Sequence, residues 1–310
     1  MTTYADIEAV NWSSLKHMSV SPLHYQHRLK NPQPSSAAMR MGTAIHCALL
    51  EPERFRDTYL VEPDFGKTKA ELALRAAWLV GLADNDHVAL PLFNLRSKAG
   101  KDDLDRWTND VPSHMTIVAG DEDAAAILPD RKIVTASDLA IVEACAEAVR
   151  AHPAAGRMLE AGRAEEAVVW NDAETGVRCK ARMDFIGPTF VRELKSTRHG
   201  TLRQIYADAA RLLYHGGISW YGDGAVTAGL ISGDELPRMI FVQTQPPHDV
   251  VVARVGELAL ERGRMLYRTL LRRLVECRAA DWWPGIAPGE TDLALPGWAA
   301  SGEDEPEEDW

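Results

Sequence analysis

Arg182-Met183-Asp184-Phe185-Ile186-Gly187-Pro188-Thr189-Phe190-Val191-Arg192-Glu193-Leu194-Lys195 reads as two β-strands joined by a Gly-Pro turn. Side chains alternate along a strand with period two, so Glu193 and Lys195 share one face while Leu194 points into a core. Asp184 stands just before the turn. A carboxylate on each strand can then grip one hard cation. Magnesium typically takes one or two carboxylates, keeps several waters and completes its shell with phosphate oxygens. An ammonium beside such an ion can orient or help deprotonate an attacking water and balance charge on a pentavalent phosphate. The plainer alternative is a polar hairpin whose charges face solvent.

Working outward, Glu166–Trp170 and Val177–Ile186 predict two strands around a turn at Asp172–Gly176, with Thr189–Lys195 as a third. Residues 201–221 predict a helix. Met239–Gln245 and Val250–Val255 predict a last strand pair around Pro246-Pro247, followed by a helix over 256–279. Upstream, 11–30 predicts an Asn- or Ser-capped helix and a Ser-Pro restart, 31–38 a loop, and Gly42–Leu50 an apolar helix stopped near Pro52. Helices with charged faces are expected over 69–83 and 97–110. Strands over 114–120 and 131–135 bracket a short acidic helix from Asp121. Asp138 is expected to cap an amphipathic helix through Ala151, with Leu139, Val142, Cys145, Ala146 and Val149 on one face. A short helix after His152-Pro153 is expected to end near Glu165. This order suggests an α/β core with helical elaboration.

Composition narrows the classes. The chain has 310 residues, 46% apolar and 25% charged, which excludes a fibrous or disordered protein. No apolar run approaches the roughly 20 residues a membrane helix needs, and no export signal is expected at Met1–Trp12. Cys47, Cys145, Cys179 and Cys277 are too scattered for a disulfide framework, a zinc ribbon or an iron–sulfur box, so a reducing cytoplasm is expected. The formal charge is −11, but Glu303–Asp309 holds six of these charges, leaving −5 on residues 1–302. Seven arginines lie between Arg254 and Arg278 against three glutamates, so a local DNA-binding surface is possible, although a solvated or inter-subunit face is the simpler expectation. Leu258, Met265, Leu266, Leu270, Leu274 and Val275 are expected to form the packed stripe of that helix.

Two further residues fit a cation site. His46 lies in Gly42-x-x-x-His46 on an apolar helix, and imidazole is a good ligand where carboxylates are few. Glu165 stands where a helix-to-strand junction can aim it inward.

Taken in order, these pieces resemble the exodeoxyribonuclease VIII (RecE-type) nucleases of phages and prophages, in the RecB-like branch of the PD-(D/E)XK superfamily. The matching residues are Asn11-x-Ser13-x-Leu15-Lys16 with Ser21-Pro22-x-His24-Tyr25; Met41-Gly42-Thr43-Ala44-Ile45-His46 followed by Leu49-Leu50-Glu51-Pro52-Glu53-Arg54-Phe55; Glu165 with Trp170; and Thr175-Gly176-x-x-Cys179-Lys180-x-Arg182-x-Asp184 with Glu193-Leu194-Lys195. Tyr214-His215 through Tyr221, and Phe241-Val242-Gln243 with Pro246-Pro247, extend the likeness over roughly residues 11–275.

The resemblance implies a restriction-endonuclease-like α/β core, a central mixed sheet flanked by helices, with additional N-terminal helices. Residues 1–296 would form one nuclease domain and 297–310 an acidic, disordered tail. It implies a magnesium-dependent exonuclease, with manganese as a possible substitute, that degrades one strand of linear duplex DNA from a 5′ end. The 3′ overhangs left behind would serve recombination with a strand-annealing partner. His46, Asp184, Glu193 and the Leu194 carbonyl would be metal ligands, Lys195 the catalytic lysine, Glu165 a supporting or second-metal acid, and Tyr214 and Tyr221 DNA contacts. A homo-oligomeric ring of three or four subunits would let a net acidic chain hold DNA. One departure stands out: in the register ending at Tyr221, Gly217 occupies the place where RecB-like nucleases carry a Gln. A non-catalytic DNA-end-binding protein and a structure-specific endonuclease remain the alternatives.

Overall fold

The computed structural model describes residues 4–62 and 132–295, and the elements below are numbered within them. The helices expected over 69–83 and 97–110, the strand over 114–120, the acidic helix from Asp121 and the tail over 297–310 lie outside the described residues.

The N-terminal helices form where their caps predict. Asn11 accepts from the Ser14 amide (2.9 Å) to start α1 (Trp12–Leu15), which continues as a 3₁₀ turn over Lys16–Ser19. Ser21 caps α2 (Pro22–Lys30), with Pro22 in its first turn. Leu15 and Met18 have no exposed surface, each contributing about 1.5–3 kcal/mol of burial that fastens these short helices to the body. α3 (Ala37–Leu50) starts ahead of the expected Gly42, because Ser36, read as loop, caps it by accepting from the Met39 amide. After α4 (Pro52–Thr58), β1 (Tyr59–Glu62) pairs in parallel with β2 (Lys132–Thr135). The cap of α5 (Ala136–Ala151) is Thr135, whose hydroxyl accepts from the Asp138 amide at 3.0 Å. Asp138 therefore sits inside the first turn, where its charge faces the positive end of the helix dipole. α6 (Pro153–Met158) follows.

The main sheet has the order β3-β4-β5-β6-β7, with β3 (Arg163–Asn171), β4 (Arg178–Ile186), β5 (Val191–Thr197), β6 (Arg238–Gln243) and β7 (Val250–Arg254). All neighbours are antiparallel except β5 and β6, whose parallel pairing requires a crossover. That crossover carries α7 (Leu202–Arg211) and α8 (Tyr214–Thr227). Residues 201–221 are thus not one helix; Leu213 takes left-handed backbone (φ 58°) and re-aims the chain between two. The last helix, α9 (Glu257–Ala280), packs on α8.

Alternation splits the core into two layers. Cys179, Ala181 and Met183 of β4 and Val191 of β5 pack with Ile218 and Trp220 of α8 and the buried side of α9. Leu194, Ile240 and Val242 pack on the other face with Ile45 of α3 and Val142 of α5. The buried seam of α9 is Leu260, Gly263, Tyr267, Leu270, Leu271, Leu274 and Cys277. Leu258, Met265 and Val275, expected inside, are exposed, since the close approach of α8 at Gly263 rotates the packed stripe. Two of the helix's arginines are tied to acids: Arg264 to Asp223 at 3.0 Å and Arg272 to Glu174 at 3.5 Å. The four cysteines are buried and unpaired. Among the described residues no helix is long and apolar enough to cross a membrane.

Candidate metal centre and active site

The hairpin in the deciding stretch holds together for only two residue pairs, Phe185↔Arg192 and Ile186↔Val191. Beyond them β4 and β5 splay, and the Leu194 amide donates to Asp184 Oδ2 (2.8 Å) instead of a ladder carbonyl. The splay matters because alternation puts Asp184 on the α3 face of the sheet and Glu193 on the α8 face. Only where the strands part can the two carboxylates approach one another. Leu194 is buried between α3 and α5, as the alternation predicts.

α3 lays His46 against Asp184, Nδ1 to Oδ1 at 3.5 Å. The β3–β4 register places Glu165 opposite Asp184, between the pairs Ala164↔Phe185 and Glu166↔Met183. Glu165 lies inside β3 rather than at a helix-to-strand junction, and it has left-handed backbone (φ 51°). Its carboxylate also meets Arg182 at 2.9 Å. His46, Glu165 and Asp184 each offer a ligand atom within 4.8 Å of the others. Glu193 stands beside this triad, its Oε1 held 2.5 Å from Lys195 Nζ. Its Oε2 is buried without a hydrogen-bond partner among the described residues.

Electrostatics follow from this crowding. Burial raises the Glu193 carboxyl, and the Asp184 charge adds to it, so that it is pushed up to about 7 despite Lys195. Burial also opposes ionisation of Asp184, but His46, Lys195 and the Leu194 amide outweigh it and hold that carboxyl well below the usual range. Burial alone would lower Lys195; Glu193 and Asp184 reverse this and keep it charged. His46 is likewise raised, the Asp184 charge overcoming burial. Tyr214 and Tyr221 sit by the same charges: the Tyr214 ring centroid is 5.6 Å from Lys195 Nζ, and burial raises both phenols.

The chain matches a family described as "PDDEXK-like domain of unknown function (DUF3799)" over residues 11–293. It belongs to that family. The PDDEXK-like assignment agrees with the mixed sheet between helical layers, and the fold is the PD-(D/E)XK core. No curated protein matches the sequence. Among solved structures, a "Putative exonuclease" from Eubacterium rectale is similar, with 8% identity, a TM-score of 0.46 and coverage of 96% of this chain and 94% of that one.

PD-(D/E)XK nucleases generally use divalent metals, and the donor set of this PDDEXK-like chain fits one. It offers an imidazole and three carboxylates, one of which, Glu193, has a buried oxygen with no hydrogen-bond partner among the described residues. The left-handed strand residue is part of that set. Non-glycine residues pay about 1–2 kcal/mol for such backbone, and it persists where surrounding structure imposes it. Comparing Glu165→Gly with Glu165→Ala isolates this cost, since both lose the carboxylate. The glycine variant is expected to be the more stable by about 1 kcal/mol in urea unfolding, the reverse of the usual strand preference. A less stable glycine variant would mean the backbone is unstrained.

Gly217 also acquires a reason. A Cβ there would lie 2.9 Å from Trp12 Cδ1 and Nε1, and one at Gly216 would overlap the same indole. The two glycines seat the ring that fastens α1 onto α8, so this PDDEXK-like chain has no room for the Gln of the RecB-like pattern. Gly217→Gln is expected to cost about 1–3 kcal/mol of stability by overpacking and to leave nuclease activity no higher; increased activity in a cleavage assay would restore the Gln to the site. Trp283 stacks on Tyr25 at 6.1 Å, a packing role.

The N-terminal helices bring basic residues toward the site. Lys16 lies near Lys195, and burial together with the charges of Lys195 and Arg28 depresses its ammonium. His17 is lowered by burial and by Lys16, Arg28 and His24. The signal was present in the composition: from Ala9 to Leu50 the chain carries no Asp or Glu. Lys16, close to Lys195, gives the acidic cluster a basic neighbour that suits an approaching phosphate.

Proposed function

We propose that this protein is a divalent-metal-dependent exodeoxyribonuclease acting on the ends of linear double-stranded DNA, of the exodeoxyribonuclease VIII kind. The observation that carries this reading is the buried, unpartnered Glu193 Oε2 beside Lys195, at the point where β4 and β5 part and Asp184, His46 and Glu165 gather. A DNA-binding protein without chemistry has no need to bury a carboxylate in that condition, because an unsatisfied buried acceptor costs about 1–3 kcal/mol.

In this reading His46, Asp184, Glu193 and the Leu194 carbonyl hold magnesium, or manganese in its place, and Glu165 supports them or serves a second ion. The cation supplies Lewis-acid chemistry, lowering the pKa of water and offsetting charge at the scissile phosphate. Lys195, fixed by Glu193, orients the attacking water and faces the negative charge that grows on the phosphate. Lys16 and Arg28 draw in the backbone, and Tyr214 and Tyr221 contact the DNA near Lys195. Cleavage from a 5′ end, 3′ overhangs for a strand-annealing partner, a trimeric or tetrameric ring and a cytoplasmic site of action complete the proposal on the strength of the family resemblance.

Linear and covalently closed circular duplexes incubated with Mg²⁺, with an EDTA control, test it. Degradation of the linear DNA alone is the expected result. Nicking of circles would make the protein an endonuclease, and no cleavage of either would make it a binding protein.

A further inference from the structure

Beyond Lys195, β5 ends with Ser196 and Thr197 and is followed by Arg198 and His199, and these line a cavity of about 240 Å³ together with Asp208 of α7, Tyr214 of α8 and Met41 of α3. It lies just below the usual range of small-molecule sites, about 300–1,000 Å³, and suits one nucleotide rather than a duplex. Its polar groups are organised. His199 Nε2 is 2.7 Å from Asp208 Oδ2, and the Arg211 guanidinium donates to Asp208 Oδ1 from Nε (3.1 Å) and from a terminal nitrogen (2.9 Å). Both carboxylate oxygens are therefore engaged, so Asp208 adds little repulsion toward an anion. With Nε2–H donating to Asp208, the ring is held in one orientation and its Nδ1 is an acceptor for a hydroxyl or amino group of a ligand. Arg198 is exposed at the cavity, and the Tyr214 ring forms an aromatic wall beside Lys195.

We propose that this cavity is a subsite for a single nucleotide of the strand adjoining the cleaved bond, with Arg198 contacting its phosphate, His199 Nδ1 accepting from a hydroxyl or amino group of the nucleotide, and Tyr214 stacking on its base. Asp208 acts through His199 as a positioning residue. The proposal rests on the nuclease reading above and names what that site holds next to the cleaved phosphate. Aromatic walls accept any base by stacking, whereas a guanidinium recognises the phosphate, so the subsite is selective for the phosphate and tolerant of the base.

Titration of dAMP into the full chain by calorimetry, with no divalent cation added, tests the cavity apart from the acidic cluster. Binding of dAMP is expected, with deoxyadenosine at least about tenfold weaker for want of the phosphate. Arg198→Ala and His199→Gln are each expected to weaken dAMP roughly tenfold and to raise KM for DNA more than they lower kcat. Arg198→Ala should leave the melting temperature unchanged because its side chain is exposed. Asp208→Asn is expected to give a smaller loss of dAMP affinity. If the wild-type chain degrades DNA but dAMP affinity and KM are indifferent to Arg198 and His199, the subsite is wrong and the nuclease reading stands. A dyad serving only the fold would lower the melting temperature of His199→Gln and leave dAMP affinity unchanged, and would also overturn it. If no DNA is cleaved yet dAMP affinity depends on both residues, the nuclease reading falls and a nucleotide-binding cavity remains.

Discussion

Lys195→Ala is expected to reduce DNA cleavage by at least about 10²–10³-fold, the loss seen when one preorganised stabilising group is removed from a site where charge develops. The side chain is well placed for an effect of that size. Its ammonium is held 2.5 Å from Glu193 on a strand of the central sheet, so its position does not depend on a mobile loop. Binding of duplex DNA should persist, because phosphate contacts supply most of nuclease affinity and the acid-free stretch from Ala9 to Leu50 is untouched. Lys195→Met, which keeps the aliphatic stem, separates lost charge from lost packing and should be as inactive as the alanine variant. Cleavage within tenfold of wild type in either variant would remove Lys195 from the chemistry.

Divalent cation is expected to stabilise the folded chain markedly. Asp184 and Glu165 converge with His46, and Glu193 stands beside them, pushed up to about 7 by burial and by Asp184, so the site carries unfavourable charge that a cation relieves. A ligand bound only by the folded state, at about a hundredfold over its dissociation constant, adds about 2.7 kcal/mol. For a chain of 310 residues that is about 4 °C in melting temperature. Wild type should show this rise with Mg²⁺ or Mn²⁺, whereas Asp184→Asn and Glu193→Gln should show little. An equal rise in Asp184→Asn and wild type would place the metal elsewhere.

Several elements were legible because short-range chemistry specifies them. Asn11 and Ser21 announce helix starts through side-chain caps, and the alternation in Val191–Thr197 correctly separates Leu194 from Glu193 and Lys195. Other readings failed where a neighbour in space decided. The break at Leu213, the rotation of α9 that exposes Leu258 and Met265, and the seat for Trp12 at Gly216-Gly217 each depend on which helix lies opposite. The place of Glu165 within β3, opposite Asp184, needed the strand register as well as the composition.

From the order of its residues alone, this protein declared an α/β core, an acidic pair with a lysine on consecutive strands, and a histidine on an apolar helix as its companion. Periodicity and capping are local and survive in a linear text. Only the folded chain decided that β4 and β5 part after two pairs, that Glu193 is left with one oxygen unpartnered, and that His46, Glu165 and Asp184 are the three that converge. Those outcomes depend on strand splay and on backbone strain imposed by distant contacts, which no window of sequence contains.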